Sequence, residues 1–285
     1  MAGIDVKTFL GMRPSANADS LAPGEATVAT NVKLDSAALE PLLALSANIQ
    51  SLTSASDILT VYRYGQTTQS DTNYWWQFNT VVDIVKGANE NDTEERTYWT
   101  DGTYPKKANA ALAIAGAPYP SSSLRMGVPA PTPAVSAGVT GSATDASDPA
   151  ETLVYVVTYV TSWGEEGPPS AASTAVTWRP GQTVNLTSIP VAPAGAYDVT
   201  HKRIYRSAAG SNSTKFQLVT TSDLAVATTT YNDTALTAAL GETLATTGWV
   251  PPSDTMTGLR GLPNGIMVGF VNNTVCFCEP YAPYA

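Results

Sequence analysis

The sequence predicts an all-β chain in which a compact β-sandwich is set into a larger body of antiparallel strands. Three observations predict it. Runs alternating with a period of two recur along most of the chain. Clusters of Pro, Gly, Asn and Asp punctuate them at strand-length intervals. Charged residues make up 14% of the chain against a usual ~25%, so surface polarity falls to Thr, Ser, Asn and Gln, which disfavours long exposed helices.

Residues 1–55 read as an irregular entry segment. Pro23-Gly24 marks a turn, and the next stretch is either a short strand at Thr27–Leu34 or a brief helix at Glu25–Asn31. From Asp57 strands dominate. "DILTVYRYG" alternates Ile58, Thr60 and Tyr62 against Leu59, Val61 and Arg63, the pattern of a half-buried strand. "NYWWQFNTVVDIVKG" continues in β-branched and aromatic residues, "NENDTEE" is a polar turn, and "RTYWTDG" is a strand ending in the turn dipeptide Asp101-Gly102. This spacing suits an antiparallel meander.

Residues 115–150 change character. "GVPAPTPAVSAGVTGSATDASDPAE" is rich in Pro, Ala, Gly and Ser and reads as a linker or extended crossover. We place a boundary near Gly127–Thr132, dividing the chain into segments 1–128, 129–250 and 251–285. The middle segment holds six or seven strand candidates: "TLVYVVTYVTS", "SAASTAVTW", "QTVNLTSIP", "VTHKRIYRSA", "KFQLVTT" and "ATTTYNDT". That number in about 100 residues is the size of an immunoglobulin-like or fibronectin type III-like sandwich. The last segment carries a hairpin, Gly265–Val271 and Thr274–Glu279, turning at Asn272-Asn273. A hairpin alone is marginal in water, so the chain reads as part of a longer architecture.

Charge excludes several functions. The formal net charge is −9, and Lys and Arg are sparse and unclustered. Such a chain cannot displace the counterions of a phosphate backbone, nor adhere to an anionic membrane. No stretch reaches the ~20 apolar residues of a membrane span. "MAGIDVKTFLGMRP" lacks an apolar run with a cleavage site and is not read as a signal peptide.

Candidate chemistry is thin. Glu165 and Glu166 are adjacent in "SWGEEGPPS". Glycosidase carboxylates flank a bond from opposite sides, roughly 5–9 Å apart. The pair is therefore read as solvated charge at a turn tip, with Trp163 folding back on the sandwich. His201, the single histidine, is read as a polar residue at a strand edge. Asp92, Glu94 and Glu95, and separately Asp145 and Asp148, offer oxygens without a calcium-loop pattern and are read as solvated loops. Cys276 and Cys278 lie on one face of a strand, roughly 6.5–7 Å apart along the chain, too far for an easy disulfide, and are read as small buried hydrophobes. One of Trp75 and Trp76 should face the core; a sugar-stacking role is the alternative. Phosphate-binding glycine motifs are missing. No catalytic, metal or cofactor residue is assigned, and no enzyme is read here.

Soft patterns over most of the chain resemble the tail tubular (nozzle) proteins of short-tailed bacteriophages. "FLGMRPSANADSLAPGEATVATNVKLDSAALEP" is similar to their entry segment, with Ala37 or Ala38 where a Gly is common. "YWTDGTYPKKAN" resembles an early strand element. "GLPNGIMVGFVNNTVCFCEPYAPYA" resembles a blade hairpin that normally continues into further blades. The middle module is similar to fibronectin type III-like insertions in virion proteins. Its "YVVTYVTSWGEEGPPS" precedes "HKRIYRS", however, which implies a permuted strand order.

The resemblance implies a β-propeller-like body, incomplete in this chain, and a ring of identical copies, six by family expectation. It also implies a channel that passes DNA without binding it, a head–tail adaptor above, and fibres or a needle below. The location implied is the virion tail, with no cofactor. On this view the acids would repel phosphates in the channel. The runner-up is a receptor- or glycan-binding tail protein whose sandwich is the adhesive module. The third reading is a propeller-based glycan hydrolase.

Overall fold

The computed structural model describes residues 9–30, 32–33, 40–41, 52, 56–65, 74–207 and 215–285. The chain is all-β, with 35% of residues in strands, 5% in helices, and several antiparallel sheets, none of them closed among the described residues. It forms two compact units, Met1–Ser51 and Leu52–Ala285.

In the first unit, β1 (Gly11–Met12) pairs in parallel with β2 (Glu25–Ala26), and β3 (Val32–Lys33) pairs antiparallel with β4 (Glu40–Pro41). Glu25 and Ala26 are thus in a strand, against the helical alternative for Glu25–Asn31. A side chain explains it: the Glu25 carboxylate accepts from the Ala22 N–H (3.1 Å) and from Arg13 (3.4 Å), fastening the turn to β1's flank. Of the strand candidate Thr27–Leu34, only Val32–Lys33 is in a strand; Asn31 and Leu34 lie outside the described residues.

The second unit begins with the antiparallel pair β5 (Thr60–Arg63) and β6 (Trp75–Phe78). Then comes a four-stranded meander of β7 (Asp83–Lys86), β8 (Thr97–Thr100), β9 (Lys106–Ala108) and β10 (Leu124–Arg125), in the order β10-β9-β8-β7. Its turns are side-chain built. Asp92 accepts from the Glu94 and Arg96 N–H groups, both at 3.1 Å, and Asp101 accepts from Thr103 N at 3.2 Å beside Gly102 at φ 85°. A single helical turn, α1 (Ala110–Ala113), is capped by Asn109 Oδ1 accepting from Leu112 N at 3.1 Å.

All four residues of β8 are buried, because the meander is covered on both faces. Ile84 and Trp99 point into an aromatic core with Tyr62, Tyr64, Trp76 and Phe78 of the β5–β6 layer. Val85 and Tyr98, the alternate residues, point into a second core with Met126 and with Leu259 and Met267. Those last two belong to β20 (Thr257–Gly261) and β21 (Met267–Val271), which with β22 (Thr274–Phe277) form the third layer. Asn272 at φ 54° turns the β21–β22 hairpin as the Asn-Asn dipeptide predicts.

Between β10 and β20 the chain leaves this stack and builds a separate core. In chain order these strands are β11 (Ser136–Thr140), β12 (Glu151–Leu153), β13 (Tyr155–Thr161), β14 (Val176–Trp178), β15 (Thr183–Thr187), β16 (Val199–Ser207), β17 (Phe216–Leu218), β18 (Leu224–Ala225) and β19 (Tyr231–Asp233). One sheet is β11-β15-β19; another is β13-β16-β17 with β18 also on β16; β12 pairs with β14. Leu153, Tyr155, Val157 and Ile204 meet Trp178, Val184 and Leu186 in one buried cluster. Asp233 ties the sheets together, accepting from Tyr155 Oη (2.8 Å) and Arg206 Nη1 (2.7 Å), all three buried.

Two sequence expectations are corrected. The stretch read as a linker or extended crossover contains β11, because β15 supplies a full ladder that composition cannot anticipate, and ahead of that strand Val128 and Val135 are buried. "SAASTAVTW" forms a strand only at Val176–Trp178. Ahead of it, residues 167–173 strap β13's edge: Ser170 N and Ser173 N donate to Val157 O and Tyr155 O at 2.8 and 2.9 Å, while their hydroxyls accept from the same residues' N–H groups at 3.1 and 3.0 Å. Pro168 and Pro169, lacking N–H donors, keep the strap from continuing as a full ladder.

Candidate functional site

The most constrained polar feature is the turn after β13. Thr161 builds it: its Oγ1 accepts from Trp163 N and Glu165 N, both at 3.2 Å, and its carbonyl accepts from Gly164 N at 3.0 Å. Gly164 takes φ 75°, which a side chain would resist. The turn sends its two glutamates to opposite partners.

Glu165 is buried, and its carboxylate pairs with the ammonium of Lys107 on β9, which is fully buried. That ammonium also lies 4.6 Å from the Trp163 ring centroid, and the Arg96 guanidinium lies 5.4 Å from it. Glu166 turns to its own sheet. It accepts from Thr158 Oγ1 (2.6 Å), Tyr205 Oη (2.8 Å) and Arg203 Nη1 (2.8 Å). Arg203 also holds Asp223 at 2.6 Å. Burial, reinforced by Glu165, pushes the Tyr98 and Tyr284 phenols above their ordinary range; burial and Glu166 do the same to Tyr205.

The reading of Glu165-Glu166 as solvated charge is therefore corrected. Lys107 and Arg203, far away in sequence, supply the counter-charges that make burial tolerable. Trp163 stacks under Lys107 and Arg96 of the meander. With each carboxylate engaged on a different side, the pair is not placed to share a proton or flank a bond. The arrangement is a joint. It is completed by Gly167, whose position leaves no room for a side chain against Val128, by Thr246 Oγ1 donating to Gly167 O at 2.8 Å, and by Arg125 N donating to Ala196 O at 2.7 Å. The Arg125 guanidinium sits between the Tyr104 and Tyr197 rings, 4.3 and 4.7 Å from their centroids.

One signal for this joint was in the sequence. Lys106 and Lys107 are consecutive in a strand, so one of them must face inward. Lys106 pairs with Asp101 at 2.5 Å nearer the surface; Lys107 is the inward one.

The other candidates are dispersed. His201 is exposed on β16, which has β13 and β18 on its two sides, so it is not at a sheet edge; its Nδ1 lies 2.9 Å from Thr200 Oγ1. Asp92 accepts from backbone donors and Glu95 is buried, which corrects their reading as solvated; Glu94 is exposed, as a solvated loop predicts, and accepts from Asn109 at 2.8 Å. Asp145 is exposed and closes its own turn by accepting from Ser147 N at 2.8 Å; Asp148, half-buried, donates its N–H to Asp145 O at 3.2 Å. Among the described residues no cluster of three or more His, Cys, Asp or Glu is arranged to hold a metal ion.

Trp76 is fully buried and Trp75 half-buried, as alternation requires. Cys276 and Cys278 are free and half-buried rather than buried, because the hairpin's inner face borders a cavity of about 390 Å³ lined by Met126, Pro251, Met256, Leu259 and Met267. Burial raises the Cys278 thiol pKa, and its Sγ accepts from Met267 N at 3.0 Å.

No family model matches the chain, and no curated protein is similar to it in sequence.

Proposed function

We propose that this chain is a structural virion protein, the nozzle of a short bacteriophage tail, whose copies form a ring around the DNA-ejection channel below the head–tail adaptor. One observation carries the reading: three small antiparallel sheets, β5–β6, β7–β10 and β20–β22, are stacked face to face through two cores, and a separate sheet pair is inserted between the second and third. Face-to-face stacking of small antiparallel sheets is how propeller blades pack. We read the stack as part of a propeller-like body and the insertion as an immunoglobulin-like sandwich. The joint at Glu165 fits a part that must hold its shape under load. The net charge of −9 fits a channel along which DNA slides.

The decisive experiment is cryo-electron microscopy of the intact particle. The expected result is a ring of this chain on the tail axis with acidic side chains toward the lumen. A lumen lined mainly by Lys and Arg, or density away from the axis, refutes it. Glycan binding by the isolated sandwich would favour the adhesive reading instead.

A further inference from the structure

We infer that a cleft between the β5–β6 layer and the meander is a binding site for one ring of a neutral saccharide. It lies outside the sandwich that the adhesive reading uses, and it stands whether or not the chain is a nozzle.

The cleft holds about 320 Å³, at the small end of ligand sites, and all its walls come from residues 77–123. Phe78 of β6, Trp99 of β8 and Tyr119 give it aromatic sides. Asp101, just after β8, and Lys106, which opens β9, add a carboxylate and an ammonium paired at 2.5 Å. Residues 118–123 form the outer wall and are pinned from behind. Gln77 N donates to Tyr119 O at 2.9 Å, Ser121 N to Ala113 O at 2.9 Å, and Ser122 N to Leu112 O at 3.1 Å. A wall fixed in advance loses little freedom on binding. The Ser122 hydroxyl donates to Leu112 O at 3.1 Å, which leaves its lone pairs to accept from a ligand.

A second observation points to a guest. Trp99 borders the cleft, is only 1% exposed, and its indole N–H has no acceptor among the described residues. Buried donors are nearly always paired. An oxygen entering the cleft supplies the acceptor that the fold does not.

The lining selects the class of guest. An anion would meet Asp101, and a cation would meet Lys106. A wholly apolar guest would dehydrate that pair and return no hydrogen bond. A peptide cannot add as a strand, because the backbone of Tyr119 already occupies the free edge of β6. A sugar ring satisfies every part. Its C–H face lies on the aromatic rings. Each hydroxyl both donates and accepts, so neighbouring hydroxyls can donate to the Asp101 carboxylate and accept from Lys106. Lys106 has three N–H donors, and Asp101 takes one of them.

The test is a titration of the full chain, followed through its ¹⁵N-labelled tryptophan indole resonances, with Trp99→Phe identifying the Trp99 signal. The probes are the methyl glycosides of glucose, galactose, mannose, rhamnose and N-acetylglucosamine. Glycerol, phosphate and choline are the controls. At least one glycoside should shift the Trp99 resonance with a Kd of about 1–10 mM, and the controls should leave it in place. Asp101→Asn keeps the oxygen that accepts from Thr103 N, and Lys106→Met keeps the aliphatic stem. Each should weaken binding roughly tenfold, as should Tyr119→Ala at the half-buried wall. Near-UV circular dichroism checks the fold of every variant.

The inference is overturned if no glycoside shifts the Trp99 resonance at about 100 mM, or if phosphate or choline shifts it as a glycoside should. An affinity unchanged in Lys106→Met and Tyr119→Ala places the sugar on another surface and overturns it as well. A tail ring without saccharide binding sinks this inference and leaves the nozzle reading standing. Saccharide binding at Trp99 without a ring does the reverse.

Discussion

Replacing Lys107 by Met should destabilise the protein sharply, and replacing Glu165 as well should undo the damage. Lys107 has no exposed side-chain surface and Glu165 has 7%, so water screens the pair little. Lys107→Met leaves the Glu165 carboxylate buried, and among the described residues its remaining hydrogen-bond contact is Thr161 Oγ1, at a marginal 3.5 Å. Removing one partner of a buried pair costs about 3–5 kcal/mol. The cation–π contact with Trp163 is lost too, worth about 0.5–2 kcal/mol, partly offset by the Met side chain filling the site. We expect about 4 kcal/mol in total, which for a unit of this size lowers Tm by roughly 8–16 °C.

The double variant Lys107→Met with Glu165→Leu removes both charges and their desolvation. It should lie within about 1 kcal/mol of wild type. Calorimetry and urea titration measure the cycle, and hydrogen exchange at the Gly167 and Ser170 amides reports whether the strap opens with the joint. Additive losses in the double variant, or a single-variant cost below about 1 kcal/mol, would refute the joint as an energetic unit.

Gly167→Ala tests the same joint by shape: its Cβ would fall 2.6 Å from Val128 Cγ1 and 2.9 Å from Val128 O, so we expect a loss of about 1–3 kcal/mol in denaturant titration. Asp233→Ala strands buried Arg206 and Tyr155 and should cost about 3–5 kcal/mol; Tyr155→Phe, which removes one hydrogen bond, should cost about 1–2. Burial lowers the Lys202 pKa from 10.5 to about 8, so above about pH 8 the unfolded chain binds more protons and stability rises with pH, by at most about 3 kcal/mol. Tyr64, Tyr98 and Tyr155, raised by burial, act oppositely from about pH 10, where the unfolded phenols ionise first. Lys202→Met should flatten the rise between pH 8 and 10, and unchanged pH dependence of its Tm would refute the assignment.

The sequence by itself determined the class of structure and many of its pieces. Period-two alternation at Thr60–Arg63, Tyr155–Thr161 and Val199–Ser207 marks strands because a pleat sends neighbours to opposite faces, and Asn272-Asn273 marks a turn because Asn tolerates positive φ. These are local properties of the backbone. Tertiary structure decided what local chemistry cannot encode. Ser136–Thr140 is a strand because β15 offers it a ladder, although its own composition reads as linker.

The glutamates show the limit most clearly. Adjacent acids between glycines read as solvated charge, since burying a lone carboxylate is prohibitive. They are largely buried because Lys107 arrives from 58 residues away and Arg203 from 37, and the energy of a charge is set by its counter-charge and dielectric rather than by its neighbours in sequence.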